Sequence, residues 1–258
     1  MKGAPAKGAL VTGAATRIGR AFALALAEDG YFVFVHHNRS AAEARQTVAD
    51  IAAAGGKACA VRADLAVARQ AEALVGRCMR PGVRLTCLVN SASLFSLDRA
   101  PTATAADFDR HMAVNLRAPM LLSQALARQL PEGEKGLIVN LLDQKLFNLN
   151  PDFLTYTLSK VGLQGLTRML AQQFAPRLRV AGIAPGLTLR SGNQTDAVFA
   201  RDHAANPLAT GVTPDDLVRA LRFIEQTPSF TGDTLIVDGG EHLRGRPRDI
   251  AFDRKKKK

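Results

Sequence analysis

Cysteine is scarce in this chain of 258 residues: there are three, Cys59, Cys78 and Cys87. They are too few and too scattered for a disulfide framework or a zinc site. Each lies in an apolar context, which predicts buried, inert thiols and a reducing cytoplasm. Long hydrophobic runs are lacking as well; no stretch of roughly 18 apolar residues occurs, so no membrane-spanning helix is expected. The opening residues, MKGAPAKGALVTG, carry no apolar core ahead of the first strand, so no secretory signal is expected. No His, Asp and Glu cluster has metal-ligand spacing, and no catalytic metal is expected. A helix-turn-helix signature, a zinc finger and an aromatic-rich basic strand are all missing, which argues against a nucleic-acid partner. Tyrosine is rare: only Tyr31 and Tyr156 occur.

What is present is apolar and basic. Apolar residues make up 47 %, enough for a sizeable core, and the formal net charge is +11. Much of that charge sits in the last segment, 244-RGRPRDIAFDRKKKK-258, which reads as a solvated, flexible tail. The body, residues 1–243, is mildly basic, which suits an anionic ligand.

Strand-length apolar runs alternate with amphipathic stretches. Strands are expected at 9–12, 31–36, 57–62, 85–90, 136–142, 178–184 and 234–239. Helices are expected at 17–29, 40–54, 66–79, 105–130, 154–175 and 214–226. This alternation predicts an α/β chain: a single doubly wound parallel sheet of about seven strands with helices on both faces. A long irregular stretch, 187–212, reads as a lid or an insertion. Its one histidine, His203, reads as a surface residue.

The first strand runs into 12-TGAATRIG-19 and then a helix, where free N–H groups and a positive helix end suit a pyrophosphate. Gly13 permits the turn and Gly19 permits close packing. The second strand ends in 36-HHNRS-40, and no acid occurs between Asp29 and Glu43. An acid there would serve the ribose hydroxyls of NADH; Arg39 and Ser40 instead suit a 2′-phosphate, hence NADPH. The same pair also fits a plain helix start with Ser40 as N-cap. Asp64 is placed to meet the adenine amino group and Asn90 to border the adenosine ribose. Tyr156 and Lys160 lie four apart, on one helical face, so the ammonium is expected to lower the phenol's pKa.

Together these features resemble the short-chain dehydrogenase/reductase family over residues 8–243. The resemblance includes the loop at 12–19, 64-DL-65, 89-VNSAS-93, Asn115, Tyr156, Lys160, 185-PG-186 and 238-DGG-240. It implies a Rossmann-type fold, an NADP(H)-dependent oxidoreductase and a homo-oligomer, dimer or tetramer. It implies cofactor contacts from Gly13, Arg17, Ile18, Gly19, His37, Asn38, Arg39, Ser40, Asp64, Leu65, Asn90, Ala92, Lys160, Pro185 and Gly186. Tyr156 would exchange the substrate proton, Lys160 would bind the nicotinamide ribose, and Asn115 would hold a relay water.

Two departures narrow the resemblance. Asp143 stands where the family has a serine; a carboxylate repels a developing alkoxide and suits a ring with basic nitrogens or amino groups. Arg17 stands in the phosphate turn, where a guanidinium can bridge a pyrophosphate and a flat polar substrate. With Ser93 and Phe95 after the fourth strand, the pattern is similar to the pteridine reductase and dihydromonapterin reductase subgroup. That likeness implies a pterin or folate-type substrate, with Phe95 stacking on the ring, Ser93 hydrogen-bonding and Arg17 at the ring edge. The weighed alternatives are a carbonyl or quinone reductase of the same family and a non-catalytic NADPH sensor. Asp143 as a loop cap, Phe95 as a core aromatic and Ser93 as a turn residue also remain open. Gln144 and Lys145 have no assigned role; Lys145 either serves the site or faces solvent.

Overall fold

The computed structural model describes residues 5–190 and 194–252; residues 191–193 of the expected lid and 253–258 of the expected tail lie outside the described residues. Seven strands form one sheet: β1 (Ala6–Val11), β2 (Phe32–His37), β3 (Lys57–Arg62), β4 (Val83–Asn90), β5 (Gly136–Leu141), β6 (Leu178–Pro185) and β7 (Thr234–Val237). Their order is β3-β2-β1-β4-β5-β6-β7, with every pairing parallel. The helices are α1 (Arg17–Glu28), α2 (Ala41–Ala53), α3 (Ala68–Arg77), α4 (Ala105–Met112), α5 (Ala118–Gln129), α6 (Leu154–Phe174), α7 (Asp196–His203) and α8 (Pro214–Gln226).

Period-two alternation builds two cores. On one face Val11, Val33, Val35 and Val89 meet Phe22 and Leu26 of α1 and Leu217, Leu221 and Ile224 of α8. On the other, Leu10, Phe34 and Leu88 meet Leu74 of α3 and Leu122 and Leu126 of α5. Each fully buried Leu, Ile or Phe contributes on the order of 1.5–3 kcal/mol. Both faces are covered, so β2 is buried at every position, as a near-continuous apolar run requires. The chain leaves β1 toward β2 on one side and returns to β4 on the other. At that reversal the helices diverge beyond the strand ends and leave a crevice.

Four expectations change. The single helix expected at 105–130 is interrupted by one π turn at Ala113–Arg117, which carries Asn115. The expected irregular stretch contains α7, started by Thr195, whose hydroxyl accepts from the Val198 N–H. Within it His203 is half-buried rather than on the surface, with Nε2 bonded to the Val212 carbonyl and the ring stacked on Phe199. The tail beginning at 244 is not a free extension as far as Phe252: Arg246 pairs with Glu241, Arg248 with Asp152 and Asp249 with Lys145. Charge composition alone hid the buried partners that hold it. No helix among the described residues is long and apolar enough to cross a membrane. The thiols of Cys78 and Cys87 are buried, and burial pushes both up to about 12.

Candidate active site

The turn after β1 is packed by backbone. Thr12 is buried, and its hydroxyl accepts from the N–H groups of Ser91 and Ala92 at 3.0 Å each, tying the turn to the end of β4. Gly13 has φ +66°, and a Cβ there would lie 2.9 Å from the Ala92 Cα. A Cβ at Gly19 would clash with the Gly13 carbonyl. Both glycines are therefore required by contact, not only by the turn. The Gly13 N–H donates to His36 Nδ1 at 3.1 Å, and His36 Nε2 lies 3.1 Å from the Ala63 carbonyl. That pattern assigns the proton to Nε2 and a neutral ring; burial lowers the His36 pKa to about 4. His36 lines the cleft, and sequence reading passed over it in favour of its neighbours.

Helix α1 starts at this turn without a side-chain cap bond and without an acid in its first turn. Its N–H groups face the crevice as an anion site. Arg17 opens the helix at φ +56°, a conformation that costs a non-glycine residue roughly 1–3 kcal/mol. Its guanidinium donates to the Arg190 carbonyl at 2.7 Å and the Leu189 carbonyl at 3.4 Å, beyond β6. At the end of β2, Arg39 is exposed, and Ser40 sits at the N-cap of α2 with no capping hydrogen bond from its hydroxyl. Asn38, Asp64, Leu65, Ala92, Pro185 and Gly186 line the same cleft as Gly13, Ile18 and Gly19. His37, Arg39, Ser40 and Asn90 do not line it. His37 is buried, and the Asn90 amide donates to Asn140, which donates on to Thr167 in the core.

The acceptor end is built by side chains from distant parts of the chain. The Tyr156 hydroxyl, from the first turn of α6, donates to Asp143 Oδ2 at 2.7 Å. The other Asp143 oxygen accepts from the Lys145 N–H at 2.8 Å, so the loop-cap and site roles coexist. Burial raises the Asp143 carboxyl above its ordinary value, against the hydrogen bond from Tyr156. Lys160, one turn on, donates from Nζ to the Leu141 carbonyl at 2.6 Å and lies 5.7 Å from the centre of the Tyr156 ring. Burial lowers the Lys160 pKa to about 8. The expected lowering of the phenol is not met: burial and the adjoining Asp143 carboxylate push Tyr156 up. The lysine sits under the ring, whereas the acid sits on the hydroxyl. The Asn115 side chain is also committed: it accepts from the Leu94 N–H and donates to the Leu94 carbonyl and Ser159. It clamps the loop after β4.

Phe95 is 50 % exposed, which sets aside the core-packing alternative. Its ring stacks on Phe153 at 4.3 Å and meets Tyr156 edge-on at 4.8 Å. Phe153, at φ +57°, is the second strained residue here and went unnoticed in the sequence. Ser93 is exposed at the rim, its hydroxyl donating to the Leu94 carbonyl. Lys145 does not face solvent: it is 4 % exposed and lines the cleft. The cleft has a volume of about 520 Å³ and joins the α1 turn to Asp143, Tyr156 and Phe95, with Asp249, Ile250 and Ala251 on its wall. No group of three His, Cys, Asp or Glu able to hold a metal occurs among the described residues.

Comparison with known proteins adds three findings. The model of the short chain dehydrogenase family matches residues 7–198. Crystal structures of FolM alternative dihydrofolate reductase 1 with NADP, from Brucella suis and Brucella canis, are 41 % and 40 % identical to this chain. Their TM-scores are 0.88 and 0.89; they cover 92 % and 96 % of this chain, and 95 % and 98 % of theirs. A 3-oxoacyl-[acyl-carrier-protein] reductase from a Synechocystis species is 32 % identical, over 90 % of this chain and 95 % of its own length.

Proposed function

The chain belongs to the short chain dehydrogenase family, and on that footing we propose that it is an NADPH-dependent reductase of a pterin or folate-type ring. The observation that carries this reading is the Asp143–Tyr156 pair at 2.7 Å beside the half-exposed Phe95. A ketone reductase needs hydrogen-bond donors where its carbonyl oxygen gathers negative charge, and a carboxylate repels that charge. A ring carrying amino groups and an imine nitrogen meets an acceptor instead, and one whose raised pKa brings its proton closer to use near neutral pH. The Brucella proteins, named as dihydrofolate reductases, point the same way.

The site fits a dinucleotide phosphate on its own terms. The uncapped start of α1 and the crowded glycines leave backbone N–H groups for a pyrophosphate. Arg39 and the uncommitted capping position of Ser40 suit a 2′-phosphate, with no acid in the chain between Asp29 and Glu43. When bound, NADPH supplies the hydride. Lys160 binds ribose hydroxyls and anchors α6 to β5. Phe95 and Ser93 orient the acceptor ring, and Arg17 meets its edge. The proton shared by Tyr156 Oη and Asp143 Oδ2 passes to the ring nitrogen. Copies associate through the outer face of α6, where Leu158, Val161 and Met169 are exposed; a monomeric mass in solution would exclude this.

The second reading, a carbonyl or quinone reductase, draws on the 3-oxoacyl reductase relative. NADPH oxidation with dihydropterins and dihydrofolate, run beside diketones and quinones, decides between them. Turnover confined to the carbonyl compounds removes the pterin reading. NADPH binding with no turnover on either set turns the protein into a sensor.

A further inference from the structure

One wall of the cleft is unused by the reading above. After β7 and a helical turn at Glu241–Arg244, residues 245–252 double back across the acceptor end. The Arg248 guanidinium donates to both oxygens of Asp152, at 2.7 Å each, and the Asp249 N–H joins them at 3.0 Å. Asp152 is fully buried and also takes Arg99 at 2.7 Å. The hydrogen bonds from Arg248 lead in holding its carboxyl far below the usual range. Two cations and a backbone N–H on one buried carboxylate make an anchor, because losing Arg248 removes two hydrogen bonds from a carboxylate that water does not reach. The Asp249 carboxylate then accepts from Lys145 Nζ at 3.2 Å, and Lys145 also donates to Asn150 at 2.6 Å. Phe252 closes the row, 6.0 Å from the Phe153 ring and under the Arg99 guanidinium at 4.9 Å.

Two features define what this wall admits. Asp249 neutralises Lys145, so the end of the cleft carries no excess positive charge for an anion. Gln144, also on the lining, has its Oε1 buried without a partner among the described residues. A buried acceptor without a donor at a cleft wall is a position for an N–H of the occupant.

We propose that residues 245–252 form the acceptor-selecting wall of the site, with Arg248 as its positioning residue. With Gln144, the strap selects a flat, uncharged heteroaromatic ring that carries N–H groups on that edge. The inference rests on the assignment of Asp143 and Tyr156 as the acceptor end.

The test uses the full chain with NADPH and two acceptors, a 2-amino-4-oxo dihydropteridine and a planar quinone without N–H groups. Arg248→Met is expected to raise the KM for the dihydropteridine about tenfold or more through misplacement of the wall, with kcat within about threefold and NADPH affinity unmoved. Gln144→Met leaves the ion pairs intact and covers the case of a poorly folded Arg248 variant. It is expected to raise the dihydropteridine KM about 3–10-fold, the worth of one hydrogen bond, without moving the quinone KM. A dihydropteridine KM unchanged in both variants overturns the strap. A wild type that reduces only the quinone, which offers no N–H group to Gln144, overturns the pterin reading and the strap's selection together. Uptake of neither acceptor overturns both.

Discussion

The two ends of the cleft are made by different means. At the α1 end the working parts are backbone: glycines at positions where a Cβ would collide, uncapped N–H groups, and a histidine ring used as a strut. At the other end they are side chains, Asp143, Tyr156, Lys160, Phe95 and the strap, drawn from separate segments between residues 95 and 252. A backbone-built end tolerates few substitutions but says little about what the protein acts on. A side-chain-built end changes its chemistry with one residue. Comparing them separates what the family needs from what this member selects.

The sharpest way to break that comparison is to cut the acceptor end alone. Asp143→Asn or Tyr156→Phe is expected to lower kcat at least ~100-fold, the lower range of general acid–base contributions, with NADPH affinity kept. Steady-state turnover beside a binding titration checks it. Activity within threefold of wild type in both variants would leave the pair without a proton role.

The cofactor end is expected to answer to pH through folding rather than through catalysis. The His36 pKa is depressed from 6.5 to about 4 by burial. Above pH 6.5 the ring is neutral in the folded and unfolded chain alike. As pH falls from 6.5 towards 4, the unfolded chain takes the proton first, so stability drains away across that window and levels off below it. At 1.36 kcal/mol per unit the loss amounts to about 3 kcal/mol. Urea unfolding at pH 7 and pH 4.5 should show most of that difference in the wild type and little of it in His36→Gln. An equal difference in both proteins would assign the acid sensitivity elsewhere.

How far the sequence reached follows the same division. Strand and helix positions were legible because period-two and period-3.6 patterns are local, and a parallel sheet buried on both faces shows itself as apolar runs. The turn at 12–19 and the Tyr156–Lys160 pair were legible because their spacing is local as well. Lys145, Phe153 and the strap were not. Lys145 is buried where its charge meets Asp249, 104 positions away. Phe153 reads as an ordinary helix-start residue until its left-handed backbone and its contact with Phe95 are seen. The rise in the Tyr156 pKa was equally hidden, since spacing reveals that Lys160 is near but not that Asp143 holds the hydroxyl. A basic, acid-poor tail carries no mark of a buried carboxylate waiting for Arg248.

A smaller effect tests the phosphate-selecting corner. Arg39→Glu places an acid where the sequence has none. It is expected to weaken NADPH about 10–100-fold, the worth of one charge-assisted contact, while NADH weakens far less. Equal losses for both dinucleotides would mean that Arg39 does not meet the 2′-phosphate.

The smallest expected effect falls on the residue that joins the two ends. Arg17 occupies a left-handed position in the backbone-built turn, yet its guanidinium reaches the carbonyls of Leu189 and Arg190 on the acceptor side. Glycine would relieve a strain of roughly 1–3 kcal/mol, and loss of the two carbonyl contacts would offset about 1 kcal/mol or more of that gain. Arg17→Gly should therefore leave the unfolding free energy within about 1 kcal/mol of wild type or slightly above it, read by urea titration. Stability has no use for an arginine there, so the strain is retained for what the side chain contacts. The same variant is expected to raise the acceptor KM more than the NADPH dissociation constant. A KM that stays put while NADPH binding collapses would return Arg17 to the cofactor end alone, and with it the sharp division between the two halves of the cleft.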